Sequence, residues 1–181
     1  MKKIHLTTPR LQLFPLDIQH KDAYYALISA NKDRLEESFP ITLLNTTTPS
    51  KTTIYLKNLQ ENWLQDKGGK LGIWQDTTLV GMVMIKNIDW SIPKCELAYF
   101  VGAEFSRKGY ATEAIQAVLK YCFEDLNFLK VFIRVIATNT ASLGLAEKCG
   151  FIREGFLKNE YRTGSKNLVD LVYFGIFPGT V

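Results

Sequence analysis

Apolar residues recur at helical spacing in several segments of the chain. The clearest segment runs from Thr112 to Asp125, and its apolar face is formed by Ala111, Ile115, Val118 and Cys122. This periodicity predicts an amphipathic helix. Weaker repeats of the same kind predict helices that begin at Asp17, at Ser50 and at Thr140. We expect Phe39–Ser50, which is rich in Thr and holds two prolines, to form a loop.

Runs of apolar and β-branched residues between these helices predict the strands. They are Arg10–Leu16, Lys70–Gln75, Leu79–Ile88, Cys95–Val101, Val131–Ala137, Ile152–Glu160 and Asn167–Ile176. Short polar spacers between the second, third and fourth runs favour antiparallel hairpins, as does the Thr163-Gly164-Ser165 turn between the last two. The order of elements predicts a single domain over residues 1–181. Its class is α/β (mixed α+β), with a central mixed, mostly antiparallel sheet of about seven strands and helices on both faces.

Composition and charge exclude several classes of function. The formal charge is +4 and the basic residues are scattered, so we expect no nucleic-acid partner. The apolar stretches are shorter than the roughly 20 residues that cross a bilayer, so we expect no membrane partner. The three cysteines form no Cys-x-x-Cys pair, which predicts reduced thiols, a cytoplasmic location and no metal site.

One junction between a strand and a helix carries candidate chemistry. A strand that ends at Val101 and Gly102 leads through Ser106-Arg107-Lys108-Gly109 into the long helix. The first turn of a helix presents free N–H groups and the positive end of the helix dipole, so a basic, glycine-containing turn there suits a phosphate. An ordinary strand-to-helix turn fits the same residues. Neither a P-loop nor a dinucleotide-binding glycine motif occurs in the chain.

This junction resembles the acyl-CoA pyrophosphate loop of the GNAT acetyltransferases. The residues that carry the resemblance are Ser106, Arg107, Lys108, Gly109, Tyr110, Ala111 and Thr112. Asn139–Gly155 is similar to a second signature of that superfamily. The strand Cys95–Phe100 and the final hairpin, with Tyr161, Gly164, Asp170 and Tyr173, resemble the branch of ribosomal-protein N-terminal acetyltransferases (the RimJ/RimL-like group).

The chain departs from the superfamily pattern at three positions. Ser106 stands where members prefer Gln or Arg, and Arg107 stands where they often have Gly. Backbone N–H donors tolerate both changes. Ala146 occupies the position where many members carry a Tyr beside the CoA sulfur, which removes one common candidate acid.

The resemblance implies an acyl-CoA N-acyltransferase-like fold and a direct transfer of acetyl from acetyl-CoA, the co-substrate, to a primary amine without a metal. It implies that Phe100, Val101 and Gly102 present backbone groups to the thioester and pantetheine, and that Asn139 positions the pantetheine arm. A homodimer is expected on the same ground.

Two further side chains are candidates for the chemistry. Glu96, on the strand that leads to the loop, is a general base, an anchor for the substrate ammonium, or a paired structural carboxylate. Ser142 donates a hydrogen bond to the departing thiolate, or it only caps its helix. The residue pattern leaves these alternatives open.

Three functions fit these observations. The first is acetylation of the N-terminal α-amine of a peptide or (ribosomal) protein, for which neutralising the amine at pH 7 costs about 1 kcal/mol, against about 4–5 kcal/mol for a Lys side chain. The second is acetylation of a small amine such as a polyamine, amino acid or aminoglycoside. The third is acyl-CoA sensing without turnover. The chain has no acidic cluster for a polycation, which favours the peptide.

Overall fold

The architecture rests on one central sheet. A computed structural model describes residues 4–179 of the chain. Within them, eight strands form a single sheet in the order β1-β2-β3-β4-β5-β6-β8-β7. The strands are β1 (Leu6–Thr7), β2 (Gln12–Pro15), β3 (Gly69–Gln75), β4 (Thr78–Asp89), β5 (Lys94–Val101), β6 (Lys130–Ile136), β7 (Ile152–Arg162) and β8 (Leu168–Ile176).

Six α-helices of these residues connect and cover the strands. They are α1 (Lys21–Ala30), α2 (Lys32–Leu35), α3 (Pro40–Asn45), α4 (Pro49–Leu64), α5 (Tyr110–Glu124) and α6 (Thr140–Lys148). Two 3₁₀ turns, Ile18–His20 and Ala103–Phe105, precede α1 and α5.

The sheet contains one parallel pair of strands. β5 and β6 run parallel and pair over only three residues, Lys94–Glu96 against Lys130–Phe132. All other neighbouring strands among the described residues are antiparallel. β6 then continues beside β8 as far as Ile136. Beyond Glu96, β5 and β6 therefore separate and leave a gap in the middle of the sheet.

Helices cover both faces of the sheet and bury two cores. On one face, α5 packs through residues such as Ile115 against odd-numbered residues of β4 and β5, including Val83, while α6 packs against β6. On the other face, α1 and α4 pack through Tyr24 and Leu56 against even-numbered residues such as Met82. This alternation follows from the two-residue period of a strand. It confirms the predicted mixed α+β fold with helices on both faces.

The number of strands and one loop differ from the sequence-based predictions. The additional strand is β1, whose two residues are too few to give a pattern. The prediction of a loop over Phe39–Ser50 is wrong, because α3 and the beginning of α4 lie there. Pro40 occupies the first turn of α3, where an N–H is not needed. The side chains of Asn45 and Thr46 donate to carbonyls four residues earlier, so local bonds rather than an apolar periodicity hold this helix.

Helix ends also differ from the prediction by a few residues. Thr48, not Ser50, caps α4, since its hydroxyl accepts from the backbone N–H of Lys51. The long helix begins at Tyr110 rather than at Thr112, because Gly109 in the left-handed conformation forms its N-cap. Residues 1–3 and 180–181 of the predicted single domain lie outside the described residues.

No helix among residues 4–179 combines the length and the apolar character needed to cross a membrane.

Candidate active site

The gap between β5 and β6 exposes backbone groups of β5. The N–H of Gly102 donates to the carbonyl of Val80 on β4 at 2.8 Å. Hydrogen bonds alternate along an antiparallel ladder, so Phe100 also bonds to β4, opposite Met82, whereas the N–H groups of Tyr99 and Val101 face the gap. The donor pair offered to a ligand is thus Tyr99 and Val101. This replaces Phe100 in the predicted pair, because the N–H of Phe100 is used within the sheet.

A cavity of about 920 Å³ lies along this gap, within the size range of small-molecule sites. We call its two parts the loop end and the α3 end. The loop end is lined by residues that include Arg107, Gly109, Ala111, Thr112, Asn139 and Ser142. The α3 end is lined by residues that include Phe39, Thr42, Tyr55, Lys86, Glu96 and Arg134. Tyr99, Phe100 and Val101 line the cavity between them.

The loop before α5 has the geometry of an anion site. Arg107 and Gly109 both adopt positive φ angles, +61° and +81°, which turn the chain sharply into the helix. No side chain caps this N-terminus, and the N–H of Glu113 is the first to enter the helical pattern, donating to the carbonyl of Gly109. The preceding N–H groups, from Tyr110 to Thr112, are therefore available to a phosphate.

A clamp from the turn between β1 and β2 fixes this loop. The Arg10 side chain forms an ion pair with Glu113 at 2.6 Å, donates to the carbonyl of Lys108 at 2.9 Å, and lies over the Tyr110 ring. Thr8 also donates to Glu113, at 2.6 Å. Burial raises the pKa of the Glu113 carboxyl, but the hydrogen bonds from Thr8 and Arg10 outweigh burial and lower it. This clamp joins residues about one hundred positions apart, so the sequence pattern contained no signal for it.

The first turn of α6 borders the other side of the loop end. Asn139 caps this helix, since its side chain accepts from the N–H of Ser142 at 3.1 Å. Ser142 is therefore not the cap, and its side chain lies within hydrogen-bonding reach of the Tyr99 hydroxyl. The Tyr99 hydroxyl donates to the carbonyl of Ser142 at 3.5 Å, and burial raises the pKa of Tyr99. Ser142 also lines the cavity, so its hydroxyl lies where a ligand can reach it.

Glu96 is buried and fully paired. Its side chain is 3% exposed. Its Oε1 atom receives Arg134 Nε at 3.2 Å and Lys86 Nζ at 3.1 Å, and its Oε2 atom receives Arg134 at 3.0 Å and Asn87 at 2.6 Å. A carboxylate has about four lone-pair sites, so these four donors occupy all of them. The geometry matches the paired carboxylate among the alternatives left open above.

The final hairpin closes the α3 end. The Tyr161 hydroxyl donates to the carbonyl of Ser38 at 3.3 Å, just before α3. Gly164 lies so close to the carbonyl of Glu36 that a Cβ atom would be 2.2 Å from that oxygen. Only a glycine allows this approach of the hairpin turn to the chain before α3. These contacts give two residues of the RimL-like hairpin motif a physical role.

The structure also adds residues that the sequence did not single out. Asn31, which is buried, accepts from the N–H of Ala103 and so fixes the start of the loop segment. Arg34 donates to the carbonyl of Val101 at 3.4 Å and lines the cavity. Lys86 and Arg134 place two cations at the α3 end, and the amine of Lys70 lies behind it. Each of these roles depends on tertiary contacts and has no local sequence signal.

The cysteines lie in the core, away from nucleophilic chemistry. Cys95, Cys122 and Cys149 are all buried free thiols. Burial raises the pKa of the Cys149 thiol to about 11, which disfavours the reactive thiolate. Across residues 4–179, no group of three or more His, Cys, Asp and Glu side chains could hold a metal ion.

Comparison with known families decides the family of the chain. Residues 10–152 match the family model described as an acetyltransferase (GNAT) domain. The chain belongs to the GNAT acetyltransferases. YdaF of Bacillus subtilis, whose name assigns it provisionally to ribosomal N-acetylation, is 30% identical over 133 residues, which are 71% of this chain and 72% of YdaF. The spermidine N(1)-acetyltransferase of Vibrio cholerae is 29% identical over 108 residues, 59% of this chain and 62% of that enzyme.

Solved structures of GNAT proteins share the whole fold. RimL, the ribosomal L7/L12 alpha-N-protein acetyltransferase, in complex with coenzyme A superposes with a TM-score of 0.92 at 17% identity, covering 98% of this chain and 100% of that one. The microcin C7 self-immunity acetyltransferase MccE, in complex with acetyl-CoA and AMP, superposes with a TM-score of 0.87 at 22% identity, covering 94% and 93%. These structures show that the chain has the GNAT fold, and the family match together with YdaF shows that it is an N-acetyltransferase.

Replacing Gly109 tests the loop. We expect Gly109→Asp to abolish acetyl-CoA binding in a calorimetric titration, because an L side chain is strained at a φ of +81° and the carboxylate would repel phosphates. Gly155→Asp is the matched control, since a Cβ there meets nothing within 4 Å. Unchanged affinity in Gly109→Asp would remove the phosphate assignment from this loop.

Replacing Ser142 tests the α6 side of the site. We expect Ser142→Ala to lower kcat about tenfold, since one hydrogen bond to the leaving thiolate is worth about 1.5 kcal/mol, while the Kd for acetyl-CoA stays the same. Ser29→Ala, at an exposed position of α1, is the control. Full activity of Ser142→Ala would leave that serine as an ordinary residue of the first helical turn.

Proposed function

We propose that the protein transfers acetyl from acetyl-CoA to the N-terminal α-amine of a peptide or protein. The observation that carries this proposal is the single cavity that joins the anion-binding loop to an α3 end whose net charge is positive. The names of YdaF and RimL, both tied to ribosomal N-acetylation, support the same acceptor class.

Acetyl-CoA fits the loop end by its chemistry. Its pyrophosphate would accept from the N–H groups of Tyr110 to Thr112, with Arg107 beside them. The pantetheine and thioester would follow the gap, where Val101 and Tyr99 present N–H groups and Asn139 and Ser142 lie opposite. RimL and MccE are both known in complexes with coenzyme A or acetyl-CoA, which supports this co-substrate.

The reaction needs three contributions from the protein. The acceptor amine attacks the thioester carbonyl, and the oxyanion that forms is stabilised by N–H groups that face the gap. The departing thiolate accepts a hydrogen bond from Ser142. The ammonium proton of the intermediate passes to a base.

The charge of the α3 end discriminates between acceptors. Lys86 and Arg134 both line it, and Glu96 is its only lining carboxylate among the described residues. Because Glu96 already balances one of these two cations, the side chains that line the α3 end carry a net positive charge. A polyamine would bring several positive charges to it, which is unfavourable. An α-amine with pKa near 8 can enter neutral, so this site favours a peptide over spermidine, despite the similarity to a spermidine acetyltransferase.

Glu96 acts in this proposal through its partners. With four donors on its two oxygens, it holds Arg134 and Lys86 at the floor of the α3 end. Direct proton transfer to Glu96 would require one donor to leave. We therefore assign Glu96 to positioning rather than to the predicted role of direct base.

The rim of the α3 end suits a peptide chain. Ile41 lines the cavity and is 71% exposed, so an apolar side chain faces solvent at the entrance. Such a residue offers contact area to the second or third residue of an entering peptide. A cytoplasmic location and a homodimer stay predictions from the sequence.

Thiol release from acetyl-CoA tests the acceptor class. We expect peptides with a free N-terminus to give a kcat/KM at pH 7 at least about 100-fold above that of the same peptides with a blocked N-terminus and an internal Lys, because the two amines differ by more than two pKa units. Spermidine should react no better than the blocked peptides. Faster thiol release with spermidine would show that the protein acetylates small amines instead. Binding of acetyl-CoA without thiol release in the presence of any amine would indicate an acyl-CoA sensor without turnover.

A further inference from the structure

Lys70 is a buried lysine without a carboxylate partner. It lies on β3 with 1% of its surface exposed. Its Nζ atom is 2.6 Å from the Tyr24 hydroxyl on α1 and 2.8 Å from the Thr42 hydroxyl on α3, and it lies 4.8 Å from the centre of the Tyr55 ring on α4. In the part of the chain that the structure describes, no Asp or Glu pairs with it.

This environment favours the neutral amine. Burial lowers the pKa of Lys70 well below its ordinary value, and the charge of Lys86 on the neighbouring strand lowers it further. The titratable groups that face Lys70 are Tyr24 and Tyr55, and burial raises the pKa of both phenols, so neither supplies a negative charge at neutral pH. The two rings attract an ammonium, but a hydroxyl cage gives no countercharge.

The position of Lys70 connects it to the cavity. Thr42 lines the α3 end, and Lys70 Nζ lies directly behind its hydroxyl. On the same face of the sheet, the carboxylate of Glu96 has no free lone pair. The amine of Lys70 is thus a base that the Thr42 side chain separates from the cavity.

We propose that Lys70 accepts the acceptor's proton through the Thr42 hydroxyl during acetyl transfer. The inference rests on the proposed N-acetyltransferase reaction, in which the acceptor enters from the α3 end. When the C–N bond has formed, the nitrogen gives its proton to Thr42 Oγ1, and the hydroxyl proton of Thr42 moves to the lone pair of Lys70 Nζ. The C–S bond then breaks, the acetylated amine leaves neutral, and the thiolate is protonated as the Lys70 ammonium loses its proton.

The ionisation of Lys70 is testable without any acceptor. A folded pKa below the unfolded value of about 10.4 means that unfolding takes up a proton, so the stability of the wild type rises with pH between these two values. As the pH rises through that window, we expect the Tm of the wild type to increase relative to the Tm of Lys70→Met. Lys120→Met, at a largely exposed lysine of α5, controls for the loss of one positive charge. A pH-independent difference would overturn the proposal.

The relay is tested by pH profiles of kcat/KM. We expect Lys70→Met and Thr42→Val to lose about 100-fold at pH values above the Lys70 pKa, as is usual for loss of a general base, and Thr42→Ser to keep most of the activity. Below that pKa the wild-type kcat/KM divided by the variant kcat/KM should fall toward one, because the Lys70 ammonium of the wild type cannot accept a proton. The titration of the acceptor amine is common to all variants and cancels in this ratio.

The outcomes separate the relay from the proposed function. A ratio that is constant with pH, or full activity of Thr42→Val, would make the Lys70 cluster purely structural and overturn the relay while peptide acetylation stands. Release of thiol with spermidine alone would contradict the proposed acceptor, and the same variants assayed with spermidine would still decide the relay. If Lys70→Met does not fold, Thr42→Val and Thr42→Ser decide it.

Discussion

The separation of β5 from β6 is the constraint on which the site depends. The two parallel strands pair for only three residues, and beyond them β6 is paired only with β8 and β5 only with β4. In the interior of a sheet, unpaired N–H groups are costly unless a ligand or water meets them. The same separation produces the cavity, brings the N-termini of α5 and α6 to its edges, and lets a ligand complete the sheet.

Two buried polar clusters on one face of the sheet, around Glu96 and around Lys70, determine the charges at the α3 end. Glu96 receives four donors, so it stabilises a fixed arrangement of Arg134 and Lys86 and all its lone pairs are occupied. Lys70 is compensated only by hydroxyls, so its charge is costly and its neutral form is favoured. Thus Glu96, which is buried and fully paired, has no free lone pair. Lys70, which is buried without a countercharge, favours the neutral amine with a free lone pair.

The sequence predicted those features that local patterns encode. The amphipathic face of α5 and the glycine before it located the loop end. All strands after β1 were predicted to within a few residues. α3 was missed because its six residues have no apolar periodicity. Three features had no local signal. The choice of Tyr99 over Phe100 as a donor depends on the register of β5. The clamp of Arg10 on Glu113 and the environment of Lys70 depend on contacts between distant segments.

Backbone hydrogen exchange, measured by NMR with and without acetyl-CoA, tests the central claim most directly. The account predicts that the amides of Tyr99 and Val101 exchange readily in the free protein and become protected when acetyl-CoA binds. The amide of Phe100, which is paired with β4, should be protected in both states and serves as the internal reference. Unchanged exchange at Tyr99 and Val101 in the saturated complex would contradict the account, because the ligand would then lie elsewhere.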